Sequence, residues 1–196
     1  MENQQEVQAL QNLTVLDLTR VVSGPYAGSI LGDFGAKVIK IEMPGSGDDA
    51  RSYGPYENGE SMYFANLNRS KKGITLNLKA PEGKEIFLSL VKKADIVLEN
   101  YRPGVMDKLG LGYDELKTHN PRLIYGALSG FGSYGPYSQR PGYDIISQGM
   151  GGLMSVTGAK GGEPTRSGNA MGDMLGGMNL VIGVLAAVNA RSLTGV

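Results

Sequence analysis

Asp173 is the residue best placed to do chemistry in this chain. It stands in Ser167-Gly168-Asn169-Ala170-Met171-Gly172-Asp173-Met174-Leu175-Gly176-Gly177, and Asp144 is the only other acid in the glycine- and methionine-rich runs 142–162 and 168–188. After it, Met174 to Val188 is almost wholly apolar and predicts a buried helix. A lone carboxylate at the mouth of such a helix has two readings. It is an N-cap, accepting first-turn N–H groups and suiting the positive end of the helix dipole. Or it is a nucleophile in a dry, glycine-lined pocket, where small residues let a substrate approach the backbone. This stretch alone favours the cap.

Other motifs offer less. Gly130-Phe131-Gly132-Ser133-Tyr134-Gly135 fits G-x-G-x-x-G after a predicted strand. Pro136 and a polar loop follow it, so no helix N-terminus is offered to a pyrophosphate. Gly45-Ser46-Gly47 lacks the Gly-Lys-Ser/Thr ending of a P-loop. His119 is the only histidine and sits at a polar helix end, where it reads as solvated surface. With no second histidine and no cysteine, no metal site and no Ser-His-Asp triad is expected. Arg69, Lys71 and Lys72 either hold phosphates or, more ordinarily, form a solvated basic turn. Asn100, at a strand end before Pro103-Gly104, is either a turn former or a side chain that bonds a ligand.

These residues must be positioned by the remaining chain. At 196 residues it suits one domain, or a large part of a bigger one. A formal net charge of zero argues against nucleic acid or a membrane surface as partner. The absence of cysteine excludes disulfides and fits a reducing compartment. The polar start Met1-Glu2-Asn3-Gln4-Gln5-Glu6 has no basic n-region before an apolar core, so no signal peptide is expected and the expected location is cytoplasmic. The run near Leu180 to Val188 is too short for a membrane span.

Residues 1–12 are expected to be a flexible lead-in, and 13–196 the folded part. Thr14 to Thr19 predicts a strand; Tyr26 to Phe34 a helix, capped by Ser23 or Gly24 with Pro25 at its start; Lys37 to Glu42 a second strand. Pro44 to Asn58 reads as loop, Tyr63 to Leu67 as helix, and Ile74 to Leu78 as a strand open on one face. Pro81 to Lys93 predicts a helix, Asp95 to Glu99 a strand, 105–109 and 113–118 short helices, and Arg122 to Leu128 a strand. Helices resume over 143–149 and 173–190. Strands alternating with helices predict an α/β fold: an open, mostly parallel, Rossmann-like sheet with helices on both faces. Ligands in such sheets bind beyond the carboxyl ends of the strands, here Arg20 to Pro25, Met43 to Asp48, Asn100 to Gly104 and Ser129 to Arg140.

Taken in order, several segments resemble the class III CoA-transferases, the group of formyl-CoA transferase, carnitine CoA-transferase and bile-acid-inducible F proteins. They are Val15 to Thr19 with Gly24-Pro25, Leu31 to Glu42, Gly47-Asp48, Asn68 to Lys72, Ala94 to Val97 with Glu99 to Gly104, Gly130 to Gly132 with Gly135-Pro136, Pro141 to Asp144, and Gly172-Asp173. No single segment is decisive; the ordered set is specific.

The resemblance implies transfer of coenzyme A from an acyl-CoA to a carboxylic acid acceptor. Asp173 would be the catalytic carboxylate, passing through an aspartyl anhydride and an aspartyl-CoA thioester. It implies CoA contacts at Arg20, Val21, Leu76, Lys79, Asn100, Tyr101, Lys108, Leu109 and Arg140, and an active-site wall at Tyr143 and Asp144. Coenzyme A enters as substrate, with no permanent cofactor. The family also contains 2-methylacyl-CoA racemases, which carry a histidine where this chain has Gly142-Tyr143-Asp144; without that imidazole, transferase is the better reading. Val22 replaces the glutamine of the formyl-CoA:oxalate branch, so oxalate is not an expected acceptor. Met43 and Lys108 replace arginines of that branch. Family members continue well past residue 196 into a smaller domain, a glycine-rich loop over the catalytic carboxylate and a returning segment, and form interlocked dimers. The chain is therefore expected to be the N-terminal half of a transferase, completed by a homodimer partner or a complementary C-terminal half. It is expected to turn over little alone; a truncated, non-catalytic CoA-binding module is the competing class.

Overall fold

The computed structural model describes residues 7–195. Five strands form one parallel sheet: β1 (Thr14–Asp17), β2 (Lys37–Glu42), β5 (Lys71–Thr75), β6 (Ile96–Glu99) and β7 (Ile124–Ala127), in the order β5-β2-β1-β6-β7. A small hairpin, β3 (Tyr56–Glu57) with β4 (Glu60–Ser61), lies apart from it. The helices are α1 (Ser23–Asp33), α2 (Met62–Leu67), α3 (Pro81–Val91), α4 (Val105–Lys108), α5 (Tyr113–His119), α6 (Asp144–Met150) and α7 (Met171–Thr194). The expected α/β architecture is what the chain adopts.

Alternation along the strands sorts two cores. Leu16, Leu18, Ile41 and Val97 face Phe87, Val91, Met106 and Leu116 on the side of α3, α4 and α5. Val15, Val38, Ile96 and Leu98 face Ala27, Leu31, Val181 and Val184 on the side of α1 and α7. The chain winds outward from β1 to β5, then returns to lay β6 on the other side of β1. The gap between the carboxyl ends of β1 and β6 is therefore the switch point, where a ligand crevice forms.

Several boundaries differ from expectation, each for a tertiary reason. Residues 1–6 of the expected lead-in lie outside the described residues; within 7–12, the Leu10 N–H bonds Phe34 O at 2.9 Å. Helix α1 starts at Ser23, so Ser23 and Gly24 are inside it rather than capping it, and Val22 occupies the N-cap without a side-chain bond. Strand β5 starts at Lys71, ahead of the expected Ile74. Lys71 is no turn lysine: its buried ammonium meets Asp17 Oδ2 at 2.8 Å, Pro25 O at 2.8 Å and Asn68 Oδ1 at 2.9 Å. Burial holds its pKa below the usual lysine range despite Asp17.

Helix α7 departs most. It runs well beyond the apolar stretch 180–188 and, by length and composition, is long and apolar enough to cross a membrane. It packs on α1, β7 and α6. It is not buried all round: Gly177, Val181 and Val184 face the protein, while Leu175, Met178 and Ile182 are exposed. A Cβ on Gly177 would lie 2.4 Å from Ser23 O, whereas one on Gly183 meets nothing within 4 Å. Both positions gain helix propensity on substitution by alanine. We expect Gly183→Ala to stabilise the fold by about 0.5–1 kcal/mol and Gly177→Ala to destabilise it by about 1–3 kcal/mol, as read by denaturant unfolding of the two variants.

Candidate active site

A cleft of about 660 Å³ opens at the switch point. Arg20, Val21, Asn100, Tyr101, Arg140, Tyr143 and Asp173 line it. Four of the other expected contacts stand elsewhere. Leu76 and Leu109 pack against the α3–α5 core, Lys79 lies in the turn before α3 with its N–H on Asn77 Oδ1, and Lys108 ends α4. Asp144 does not line the cleft but lies directly behind Asp173.

Asp173 is the third residue of α7, not its cap. The N-cap position is Ala170, which has no side-chain oxygen to offer. Capping comes instead from α6: Asp144 Oδ1 accepts from Gly172 N at 2.8 Å and more weakly from Asp173 N at 3.4 Å. Buried Gln148 secures that carboxylate, donating to Asp144 Oδ2 at 2.7 Å and accepting from Ser167 N at 2.9 Å. Gly172 permits the close approach, because a Cβ there would come within 2.8 Å of Ser147 Cβ and 3.0 Å of Asp144 O. The orphan donors of the first turn are thus engaged from outside, and the Asp173 carboxylate is left to the cleft. Burial, reinforced by the Asp144 charge, pushes its pKa up to about 6. Tyr63 of α2, edge-on to Tyr53 at 5.7 Å, has its own pKa raised by burial and then by the Asp173 charge. No local signal in the sequence marks Tyr63, because only the fold brings α2 towards α7.

The loop after β1 forms another part of the cleft and is strained. Val21 sits at φ 72°, a left-handed conformation that costs a β-branched residue on the order of 1–3 kcal/mol. The Asn100 side chain clamps its neighbour, accepting from Arg20 N at 2.9 Å and donating to Arg20 O at 2.8 Å. Asp48 Oδ1 accepts from Val21 N at 2.9 Å. Lys40, buried in β2, donates to Thr19 O at 2.7 Å and lies 2.8 Å from Asp48 Oδ2. Among the described residues that oxygen has no other compensation. Burial pushes the Asp48 pKa up, but Lys40 and the Ala50 and Val21 N–H groups outweigh it, and the carboxyl titrates below its usual range. Glu42 follows the same pattern through bidentate bonds from Arg51, both at 2.7 Å. Lys40 is visible in the sequence as a lone charge inside Val38-Ile39-Lys40-Ile41; its partner is not.

A second cavity, about 830 Å³, runs beside β7 and contains none of these residues. Glu99 lines it and bonds Tyr101 N at 2.7 Å; burial lifts the Glu99 pKa to about 7 against that bond and a longer one from Tyr125.

Comparison with known proteins places the chain among its relatives. The chain is 51% identical over 184 residues to the acetyl-CoA:oxalate CoA-transferase of Acetobacter aceti, covering 93% of this chain and 47% of that protein. It is 46% identical over 187 residues to the succinyl-CoA:glutarate CoA-transferase of Mus musculus, covering 95% of this chain and 43% of that one. The crystal structure of a CAIB/BAIF family protein from Brucella suis superposes with a TM-score of 0.92 at 44% identity, over 96% of this chain and 51% of that chain. The chain thus spans about half the length of the curated relatives it matches. Residues 10–196 match the family described as CoA-transferase family III, and the chain belongs to that family.

Proposed function

We propose that the chain carries the nucleophile of a CoA transfer between an acyl-CoA thioester and a carboxylic acid, and that Asp173 is that nucleophile. The observation that carries the reading is a part-buried carboxylate in the switch-point cleft whose helix-capping duty has passed to Asp144. The Asp173 carboxylate attacks the thioester carbonyl; the C–S bond breaks, giving an aspartyl anhydride and CoA thiolate. The thiolate attacks the aspartyl carbonyl, forming an enzyme thioester and releasing the donor acid. An acceptor carboxylate reverses the two steps. Each step exchanges one activated acyl bond for another, so no water is consumed and the thioester's free energy is kept.

Arg20, Arg102 and Arg140 line the cleft and suit the anionic parts of coenzyme A or an acid. We propose short dicarboxylic acids as the acceptor class. The similar proteins are named for oxalate, glutarate and mesaconate, so oxalate belongs among the acids to be tested despite Val22. The proposed polypeptide partner is a second copy or a complementary C-terminal half, supported by the exposed Leu175, Met178 and Ile182 on α7. The second reading is CoA binding without turnover, favoured by the arginines of the cleft, which serve binding whether or not Asp173 reacts.

Incubation with a panel of acyl-CoAs, trapping with hydroxylamine and mass spectrometry decide between the two readings. We expect a CoA adduct or hydroxamate on Asp173, absent in Asp173→Ala; saturable CoA binding without an adduct would leave only the binding module. Stability gives an independent check. A native pKa raised to about 6 means that folding favours the protonated carboxyl. That benefit is complete below the ordinary carboxylate range and is lost as pH rises through about 6. Asp173→Ala should therefore stabilise the chain at pH 8 by about 1–3 kcal/mol and not at pH 4, whereas loss of a simple cap would destabilise it. Asp144→Asn keeps an oxygen for Gly172 N and removes the charge that helps raise the Asp173 pKa. The acid limb of adduct formation should then move to lower pH, as read by initial rates between pH 4 and pH 8.

A further inference from the structure

Two consecutive peptide units after β1 have all four polar atoms engaged by side chains. In Thr19–Arg20, the carbonyl accepts from Lys40 Nζ and the N–H donates to Asn100 Oδ1. In Arg20–Val21, the carbonyl accepts from Asn100 Nδ2 and the N–H donates to Asp48 Oδ1. The second unit leads into Val21 at φ 72°, which a valine rarely adopts. Such a conformation persists only where its surroundings over-determine it. Asp48 also caps the short helical turn Asp49–Ser52 through Ala50 N at 3.0 Å. A cap needs neither the buried Lys40 nor a bond to Val21, so capping does not account for the arrangement.

We propose that Asp48, fixed by Lys40, is a positioning residue of the Asp173 cleft: it holds Val21 left-handed, so that Arg20 and Val21 meet the bound coenzyme as side chains on a rigid loop. This rests on reading the cleft as a coenzyme A site. The clamp draws its parts from β2, from the loop after β2 and from the end of β6, so it fixes the loop relative to both strands at the switch point. Asp48 acts through Val21 and touches no reacting atom.

The test has two arms. The first compares Val21→Gly with Val21→Ala by thermal unfolding. At an ordinary backbone position alanine is the more stable of the two; at a held left-handed one glycine is. We expect Val21→Gly to melt above Val21→Ala by about 2–4 °C; the reverse order overturns the proposal, whatever the cleft binds. The second arm measures free coenzyme A binding by calorimetry in the wild-type chain, Asp48→Ala, Val21→Gly and the double variant. Asp48→Ala should weaken binding about tenfold or more in the wild-type background. In the Val21→Gly background, where glycine needs no holding, the loss should be less than about threefold. Equal losses in both backgrounds would overturn the positioning role, since a merely structural Asp48 gives additive effects. Should Asp48→Ala not fold, the double variant Lys40→Met/Asp48→Leu removes the acceptor of the Val21 N–H without stranding a buried charge; amide exchange at Val21 should be faster in it than in the wild-type chain, and unchanged exchange overturns the clamp. Absence of coenzyme A binding in the wild-type chain would instead sink the functional reading, leaving the glycine–alanine order and the exchange rate to judge the clamp.

Discussion

A parallel sheet that reverses its winding must leave backbone groups without strand partners where the two directions part. In this chain that place is the end of β1, and the peptide groups of Thr19, Arg20 and Val21 are the ones left over. Main-chain donors and acceptors left without partners are costly where water cannot reach them, as at Thr19 O. Here they are met by Lys40, Asp48 and Asn100. Each of these side chains is then committed. Lys40 is buried and faces Asp48 at 2.8 Å; removing one partner of such a buried pair costs about 3–5 kcal/mol. The Asp48 N–H in turn donates to Glu42 at 2.8 Å, and Glu42 is held by Arg51, whose guanidinium lies 3.7 Å from the centre of the Phe64 ring. One unpaired stretch of backbone thus accounts for a chain of charges running from the buried Lys40 to the exposed Arg51 beside α2. On the same side of β1, Asp17 and Lys71 do similar work, tying the edge strand β5 to the start of α1.

The position of Asp173 follows from a second shortage of partners. The first turn of α7 needs acceptors for its N–H groups, and a helix beginning Ala170-Met171-Gly172 carries none of its own before Asp173. If Asp173 bent back to supply one, it would be an ordinary cap and a poor nucleophile. Asp144 removes that demand from another helix. The same substitution of roles sets the electrostatics: a carboxylate behind the first turn stabilises the helix end, while its charge opposes ionisation of Asp173. Two carboxylates with different surroundings are thereby separated in function, one bonded to backbone N–H groups and one facing a cleft. Gln148 matters because a misdirected Asp144 would lose the cap and leave its charge misplaced at once.

The sheet is legible in the sequence because strand-like runs alternate with helical ones. Lys37 to Glu42 can be placed to the residue, since Gly35 bounds it on one side and Pro44 on the other. The parallel topology follows from the alternation of strands with helices. Local reading fails where a distant partner decides. The start of β5 is set by Asp17 drawing in Lys71, and Asp17 lies fifty-four positions away; within the sequence, Lys71-Lys72 looks like any solvated basic turn. Helix α7 is legible as a helix but not as a half-exposed one, because Leu175, Met178 and Ile182 are as apolar as Val181 and Val184. The candidate site divides in the same way. Asp173 stands out because acids are scarce around it, and the strand-end loops are marked by their glycines, prolines and arginines. Asp144's role as a remote cap, Tyr63's approach to Asp173 and Val21's backbone conformation are unmarked, since each depends on contacts between segments far apart in the chain. Val21 is the sharpest case: its place in the strand-end segment Arg20 to Pro25 is legible, but only side chains from elsewhere hold it left-handed. Where local preference and tertiary demand disagree this strongly, the demand comes from the site.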